Sequence, residues 1–408
     1  MSLTPPQLRH LAFFDALAET DENDSSWPAI SAGLVVLRLL DSYLEDGPSA
    51  LEAWGLRAVR DAVQAVRAGD PARAILGGII DAIEAATGPA AAALAPRLMA
   101  YGRALDYDGR FHLAADVYRT VIAHVHPAED ADVVSDAHIQ LGYCARMMGE
   151  YDESKAAYTT AAEIAATAGD LVKVLRARMA EAKLALTRGN LPEAEGLLEA
   201  TLTEATERRL GEVQATALHI SATVAHARGD YERAIRLAYQ SLDGFSSPAM
   251  RDRALADVAA AFAELGVRTA ARDAHLILAA TAQEQYSRWV ATINLLEIAA
   301  LDRAEPVFEQ YRRELAGVAL PPYLEAAYHL YVGEGLRGFG RIDAARESLT
   351  RAVDVASRHK LNQLLFRAEQ GLRDVAATVA PRRATEPPSG VRDVAEAIGR
   401  MRESAAAR

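Results

Sequence analysis

Apolar residues recur every three or four positions through long stretches of this chain, and short polar turns break the stretches apart. Sustained apolar–polar alternation is absent. The first period sets apolar side chains on one face of a helix, whereas strands need the second, so the pattern predicts an all-α chain. Four helical segments occupy the first ninety residues. In "TPPQLRHLAFFDALAE", Thr4 is the expected cap and the prolines sit in the first turn. The acidic loop "DENDSS" precedes a second helix running through Leu44. Residues 46–70, "DGPSALEAWGLRAVRDAVQAVRAGD", read as a third helix, and "DPARAILGGIIDAIEAATG" as a fourth.

Beyond them the pattern repeats. Gly109, Gly149, Gly189 and Gly229 are forty residues apart. Two places after each lies Phe111, Tyr151, Leu191 or Tyr231, five after each Ala114, Ser154, Ala194 or Ala234, and nine after each Tyr118, Tyr158, Leu198 or Ala238. Seven before each is Gly102, Gly142, Ala182 or Ala222. Such a unit is two helices: the glycine takes the left-handed position just past the first, and the small residues mark where the helices approach closely. Weaker copies carry Gly266 with Ala271, and Gly340 with Ile342, Ala345, Leu349 and Ala352. Between these, "AALDRAEPVFEQYRREL" keeps Ala304, Phe308 and Tyr311 without a glycine, and an incomplete copy upstream has Gly69 and Ala74.

The pattern resembles the tetratricopeptide repeat family, in which small residues and an aromatic at fixed positions pack paired antiparallel helices. The unit at 135–174 matches best, through Leu141, Gly142, Gly149, Tyr151, Ser154, Tyr158 and Ala161, and the resemblance covers roughly residues 95–375. The family's tryptophan is replaced by Leu98, His138, Arg178 and Leu218, and each unit is about six residues longer than the usual thirty-four. The resemblance implies a right-handed, superhelical, tetratricopeptide-like solenoid of about six or seven repeats over 95–378. Residues 1–94 would form an N-terminal helical cap or a separate recognition module. Residues 379–390, rich in proline, read as a flexible linker. Residues 391–408 read as a short amphipathic helix or a disordered tail, with Val391, Val394, Ala395, Ile398 and Met401 on one side.

In that family the first helix of each unit lines the inner groove. Carried over by position, the groove would present Met99, Arg103, Tyr107, Tyr143, Arg146, Met147, Arg176, Met179, Lys183, His219 and His226, followed by Glu297, Glu334 and Arg337 in later units. Guanidinium and ammonium groups there could clamp carboxylates of a peptide or chain terminus, and methionines could mould to its apolar side chains.

Composition narrows the partners. Half of the 408 residues are apolar and the net charge is −12, which argues against direct nucleic-acid binding. The single Cys144 allows no internal disulfide and suits a reducing, cytoplasmic setting. "GLVVLRLL" at 33–40 is the most apolar stretch and reads as part of a buried helix rather than a membrane span. No catalytic, cofactor or metal site is expected. "GEGLRG" at 333–338 falls inside a repeat helix, where a dinucleotide fingerprint cannot work. "DENDSS" is similar to a calcium loop, but Ser26 stands for the glycine and Ala32 for the closing glutamate. The leading expectation is a non-enzymatic scaffold or adaptor that binds a protein or peptide, with an acidic or carboxylate-terminated segment. The alternatives are a ligand- or peptide-responsive regulator acting through a partner and, least supported, an enzyme.

Overall fold

The computed structural model describes residues 9–86, 91–377 and 384–406, which form 21 α-helices and two short 3-10 turns, with no strand among the described residues. The chain divides into two compact units, Met1–Leu197 and Leu198–Arg408.

Unit 1 opens with a bundle of α1 (Leu11–Glu19), α2 (Trp27–Asp46), α3 (Ser49–Trp54), α4 (Leu56–Ala65) and α5 (Pro71–Ala85). Thr4, the expected first cap, lies outside the described residues; α1 starts after His10, in a left-handed conformation. The helix α2 is long and apolar enough to cross a membrane by length and composition alone. Here it is the core of the bundle, with Val36, Leu37, Leu39 and Leu40 fully buried against its neighbours. The expected third helix is broken in two, because Gly55 (φ 62°) turns the chain left-handed between α3 and α4. A buried polar cluster fastens α1 to the rest: His10 Nε2 donates to Asp41 Oδ2 (3.1 Å) and Nδ1 to Asp116 Oδ1 (3.3 Å), while His124 Nε2 reaches Asp41 Oδ1 (2.9 Å).

The hairpins of unit 1 follow: α6 (Ala91–Tyr107) with α7 (Phe111–His124), α8 (Pro127–Met148) with α9 (Tyr151–Thr167), and α10 (Leu171–Thr187) with α11 (Leu191–Glu207), inside which the unit boundary falls. Their length explains the forty-residue period. Each of α9, α10 and α11 has 17 residues, and three-residue turns between them complete a step of twenty. Gly149, Gly169, Gly189 and Gly229 hold left-handed φ values of 75–83°, and Arg209 takes the same conformation where the rhythm lacks a glycine. At each turn the next amide closes back over the helix end, as from Glu150 to the Ala145 carbonyl (2.8 Å) and from Asp170 to Ala165 (2.9 Å). Asp170 then caps the following helix by accepting from the Lys173 amide.

Within the hairpins, Gly142 lies against the Tyr158 ring so closely that a Cβ would stand 2.5 Å from Cε1, and Gly102 meets Tyr118 in the same way. Ser154 Oγ donates to the Gly142 carbonyl (2.8 Å), tying the same seam.

Unit 2 stacks α12 (Gly211–Arg228) with α13 (Tyr231–Ser241), α14 (Pro248–Glu264) with α15 (Arg268–Thr281), α16 (Gln285–Leu301) with α17 (Glu305–Leu315), and α18 (Pro322–Gly338) with α19 (Ile342–Arg358), then α20 (Asn362–Arg373). The copy without a glycine still forms a hairpin, because Arg303 adopts the left-handed turn (φ 56°). Gly69, by contrast, is not left-handed, so the turn between α4 and α5 differs from those of the repeats. Of the expected linker, residues 379–383 lie outside the described residues. Thr385 is docked: its amide donates to the Gly266 carbonyl (3.0 Å) and its hydroxyl to Leu265 (2.9 Å). The final helix α21 (Arg392–Ala406) packs on α15 and α13, the second helices of their hairpins, burying Val391, Val394 and Ile398, while Met401 stays at the edge.

Candidate functional site

The first helices of unit 1, α6, α8 and α10, pack side by side and share one solvent-facing surface. Tyr107 ends α6 with 90% of its surface exposed, and Met147 ends α8 at 46%. Arg103, Arg176 and Lys183 are exposed, and Tyr143 is half-buried. The Arg146 guanidinium lies 5.4 Å above the Tyr143 ring, and its Nη1 donates to Thr187 Oγ1 (3.2 Å) on α10. Acids on the same helices are occupied elsewhere. Asp136 pairs with buried Lys173 (3.1 Å), and Asp106 accepts from the Tyr118 hydroxyl (2.6 Å). The surface is therefore basic and partly aromatic.

Met99 and Met179 do not belong to it. They are 3% and 4% exposed. Each stands three residues before a small seam residue, Gly102 or Ala182, and that spacing turns it into the helix packing. In unit 2, His219 is likewise turned inward, donating from Nε2 to Asp257 Oδ2 (2.7 Å) with its ring edge-on to Phe245. His226 is half-buried, edge-on to Tyr231, beside a small cavity of about 140 Å³ shared with Thr223 and Asp257.

A further cavity lies on the first-helix face of unit 2, between α16, α18 and α20. It holds about 520 Å³ and is lined by Glu297, Leu301, Tyr331, Glu334, Phe366 and Arg367, among others. Arg367 sits 5.2 Å over the Tyr331 ring, 3.4 Å from Glu334 and 3.8 Å from Glu297. Burial pushes Glu297 up to about 7; the Arg367 charge pulls it back and Glu334 adds to the rise. Glu297, Glu334 and Arg337 were legible by repeat position. Arg367 and Phe366 were not, because α20 lies beyond the last recognisable glycine–aromatic unit.

Elsewhere, burial pushes the Cys144 thiol up to about 12. Among the described residues no three His, Cys, Asp or Glu side chains are placed to hold a metal ion. The "GEGLRG" stretch is helical within α18, where Gly335 packs on Phe308 and Gly333 on Leu349.

Helical hairpins joined by left-handed turns, with small-to-aromatic seams and preceded by an N-terminal helical bundle, make this an all-α, tetratricopeptide-like solenoid. The tetratricopeptide repeat model matches residues 135–167, the hairpin of α8 and α9. No curated protein matches the sequence. Among solved structures the chain is similar to a tetratricopeptide repeat protein from Parabacteroides merdae, with 14% identity over 67% of this chain and 98% of that one and a TM-score of 0.43. It is also similar to BtubC from P. vanneervenii, with 15% identity over 69% and 94% and a TM-score of 0.37. A third is the apo form of the quorum sensor NprR from B. thuringiensis, with 11% identity over 89% and 91% and a TM-score of 0.39. The molecule is a helical-repeat protein, an architecture that presents surface from successive hairpins.

Proposed function

We propose that the protein is a non-enzymatic scaffold or adaptor of the cytoplasm that binds an acidic or carboxylate-terminated peptide segment on the first-helix face of unit 1. The observation that carries this reading is the composition of that face. Arg103, Arg146, Arg176 and Lys183 stand beside exposed Tyr107 and Met147, while Asp106 and Asp136 are engaged by their own neighbours. Guanidinium groups recognise carboxylates by paired hydrogen bonds, and Arg146, held over Tyr143, is pre-ordered for that contact. Tyr107 and Met147 would take apolar side chains flanking the acid.

The test is an array of labelled acidic peptides, each with a free and an amidated C-terminus, probed with the full chain. Saturable binding is expected, weakened at least tenfold by Arg146→Glu with Arg176→Glu at unchanged melting temperature. Binding indifferent to that pair of changes, or no binding across the array, overturns the reading.

A further inference from the structure

The cavity between α16, α18 and α20 lies in the other unit and is lined by acids as well as arginines, so an inference from it does not depend on the reading above. Its guanidinium groups are already committed. Arg367 lies over Tyr331 with its Nη2 facing both carboxylates, Arg337 Nη1 donates to the Asp374 carbonyl (3.3 Å), and Arg303 has its own partner. The carboxylates are not satisfied to the same degree. A charge-assisted N–H···O contact normally closes to about 2.7–2.9 Å, whereas Arg367 Nη2 reaches both Glu334 oxygens only at 3.4 Å and Glu297 at 3.8 Å, and Tyr331 gives Glu297 one further hydrogen bond. Each carboxylate can accept about four hydrogen bonds. Glu297 is 28% exposed and lies where the cavity can bring a ligand to it. Phe366, 65% exposed, forms an apolar lip over the same opening.

Arg367 therefore shows what the cavity accepts: a flat cation over an aromatic ring with two carboxylates converging on one of its nitrogens. About 520 Å³ remains beside it, room for a second such group with its stem. We propose that this cavity binds the guanidinium or ammonium group of a ligand, held by Glu297 and Glu334, with Phe366 covering the aliphatic stem. A cation in that position gains two carboxylates at once in a partly desolvated setting, and Arg367 competes with it. One feature points the other way: Arg337 Nε is buried without a hydrogen-bond acceptor. A single N–H offers an anion much less than two carboxylates offer a cation.

The experiment titrates the full chain with Nα-acetyl-arginine amide, its neutral isostere Nα-acetyl-citrulline amide, Nα-acetyl-glutamate amide and putrescine, following binding by NMR. Saturable binding of the arginine compound is expected, with citrulline at least tenfold weaker. Glu334→Gln, at a site open to solvent, should weaken arginine binding about tenfold with an unchanged far-ultraviolet spectrum. Arg367→Met, which removes the competitor, should tighten it, an effect no merely structural role predicts. Putrescine binding above the capped arginine would indicate a free diamine as the natural source, and the reverse order a side chain of a partner; either supports a cation site. Equal binding of arginine and citrulline, preference for the glutamate compound, or no saturable signal in both wild type and Arg367→Met would overturn the proposal.

Discussion

Two titratable residues, one in each unit, are raised in the fold for opposite reasons. His10 gains protonation in the fold: burial works against its charge, but hydrogen bonds and charge from Asp116 and Asp41 outweigh it and raise it to about 9. Its contribution is fully present below the ordinary histidine value near 6.5 and disappears as pH rises through about 9. His10→Ala is expected to cost about 3–5 kcal/mol at pH 6, because it leaves Asp41 and Asp116 short of a buried partner. The gap to wild type should narrow by pH 10 in urea melts. Glu297 loses stability in the same direction, but burial rather than a charged partner is the cause. With its folded-state value raised to about 7, mainly by burial, the fold holds more protons than the unfolded chain between about 4.5 and 7. Stability attributable to it is greatest in acid and falls as pH rises through that window. Glu297→Gln should thus stabilise the protein at pH 8 by roughly 1–3 kcal/mol and do little at pH 4.5, as thermal melts at the two values would show. A residue that destabilises where the cell works is expected at a binding site rather than in a framework. Neither environment was legible in sequence, since Asp41 and Asp116 reach His10 from distant positions and Arg367 reaches Glu297 from seventy residues away.

Among the helices, the glycine rhythm was legible because two different constraints printed it. Left-handed turns demanded glycine at 109, 149, 189 and 229, and close seams demanded small residues seven places earlier. In sequence, the seam residue and its partner sixteen positions on vary together: Gly102 with Tyr118, Gly142 with Tyr158, Ala182 with Leu198, Ala222 with Ala238. Gly142→Ala drives a methyl into the Tyr158 ring and should cost about 1–3 kcal/mol by overpacking. Combining it with Tyr158→Leu, the pairing of the next unit, should lose less than the sum of the single changes in a double-mutant cycle. Arg209 provides the complementary case. A side chain in the left-handed region costs about 1–2 kcal/mol, partly offset by the freedom glycine brings to the unfolded chain, so Arg209→Gly should gain up to about 1 kcal/mol in denaturant melts. The elements that misled were those where a local signal lost to context. Gly55 inside a helical pattern broke it instead of being absorbed, and Met99 and Met179, assigned to a surface by motif position, were drawn into packing in helices with more of their length buried.

For the chain as a whole, the C-terminal segment is the feature that sequence left undecided between helix and free tail. A fifteen-residue helix of this composition is marginal alone. Burial of Val391, Val394 and Ile398 supplies the stabilisation, on the order of 5 kcal/mol before the cost of ordering the segment. Ending the chain at residue 377 should therefore lower the melting temperature by on the order of 5 °C and raise binding of a hydrophobic dye, as α13 and α15 lose their cover. Peptide binding on the first helices of unit 1 should survive the truncation, since those residues belong to the other compact unit.

The three-residue turns have a consequence for how such a chain can lengthen or shorten. Excision of Glu150–Gly189 would join Gly149 to Asn190, and the junction would restore the same left-handed glycine followed by the same kind of capping side chain. Leu198 would then face Gly142 in place of a tyrosine, leaving a gap to fill rather than a collision to relieve. Forty-residue pairs of helices are thus interchangeable cassettes at the gene level, and unequal recombination between neighbouring copies can vary their number while keeping every helix in phase.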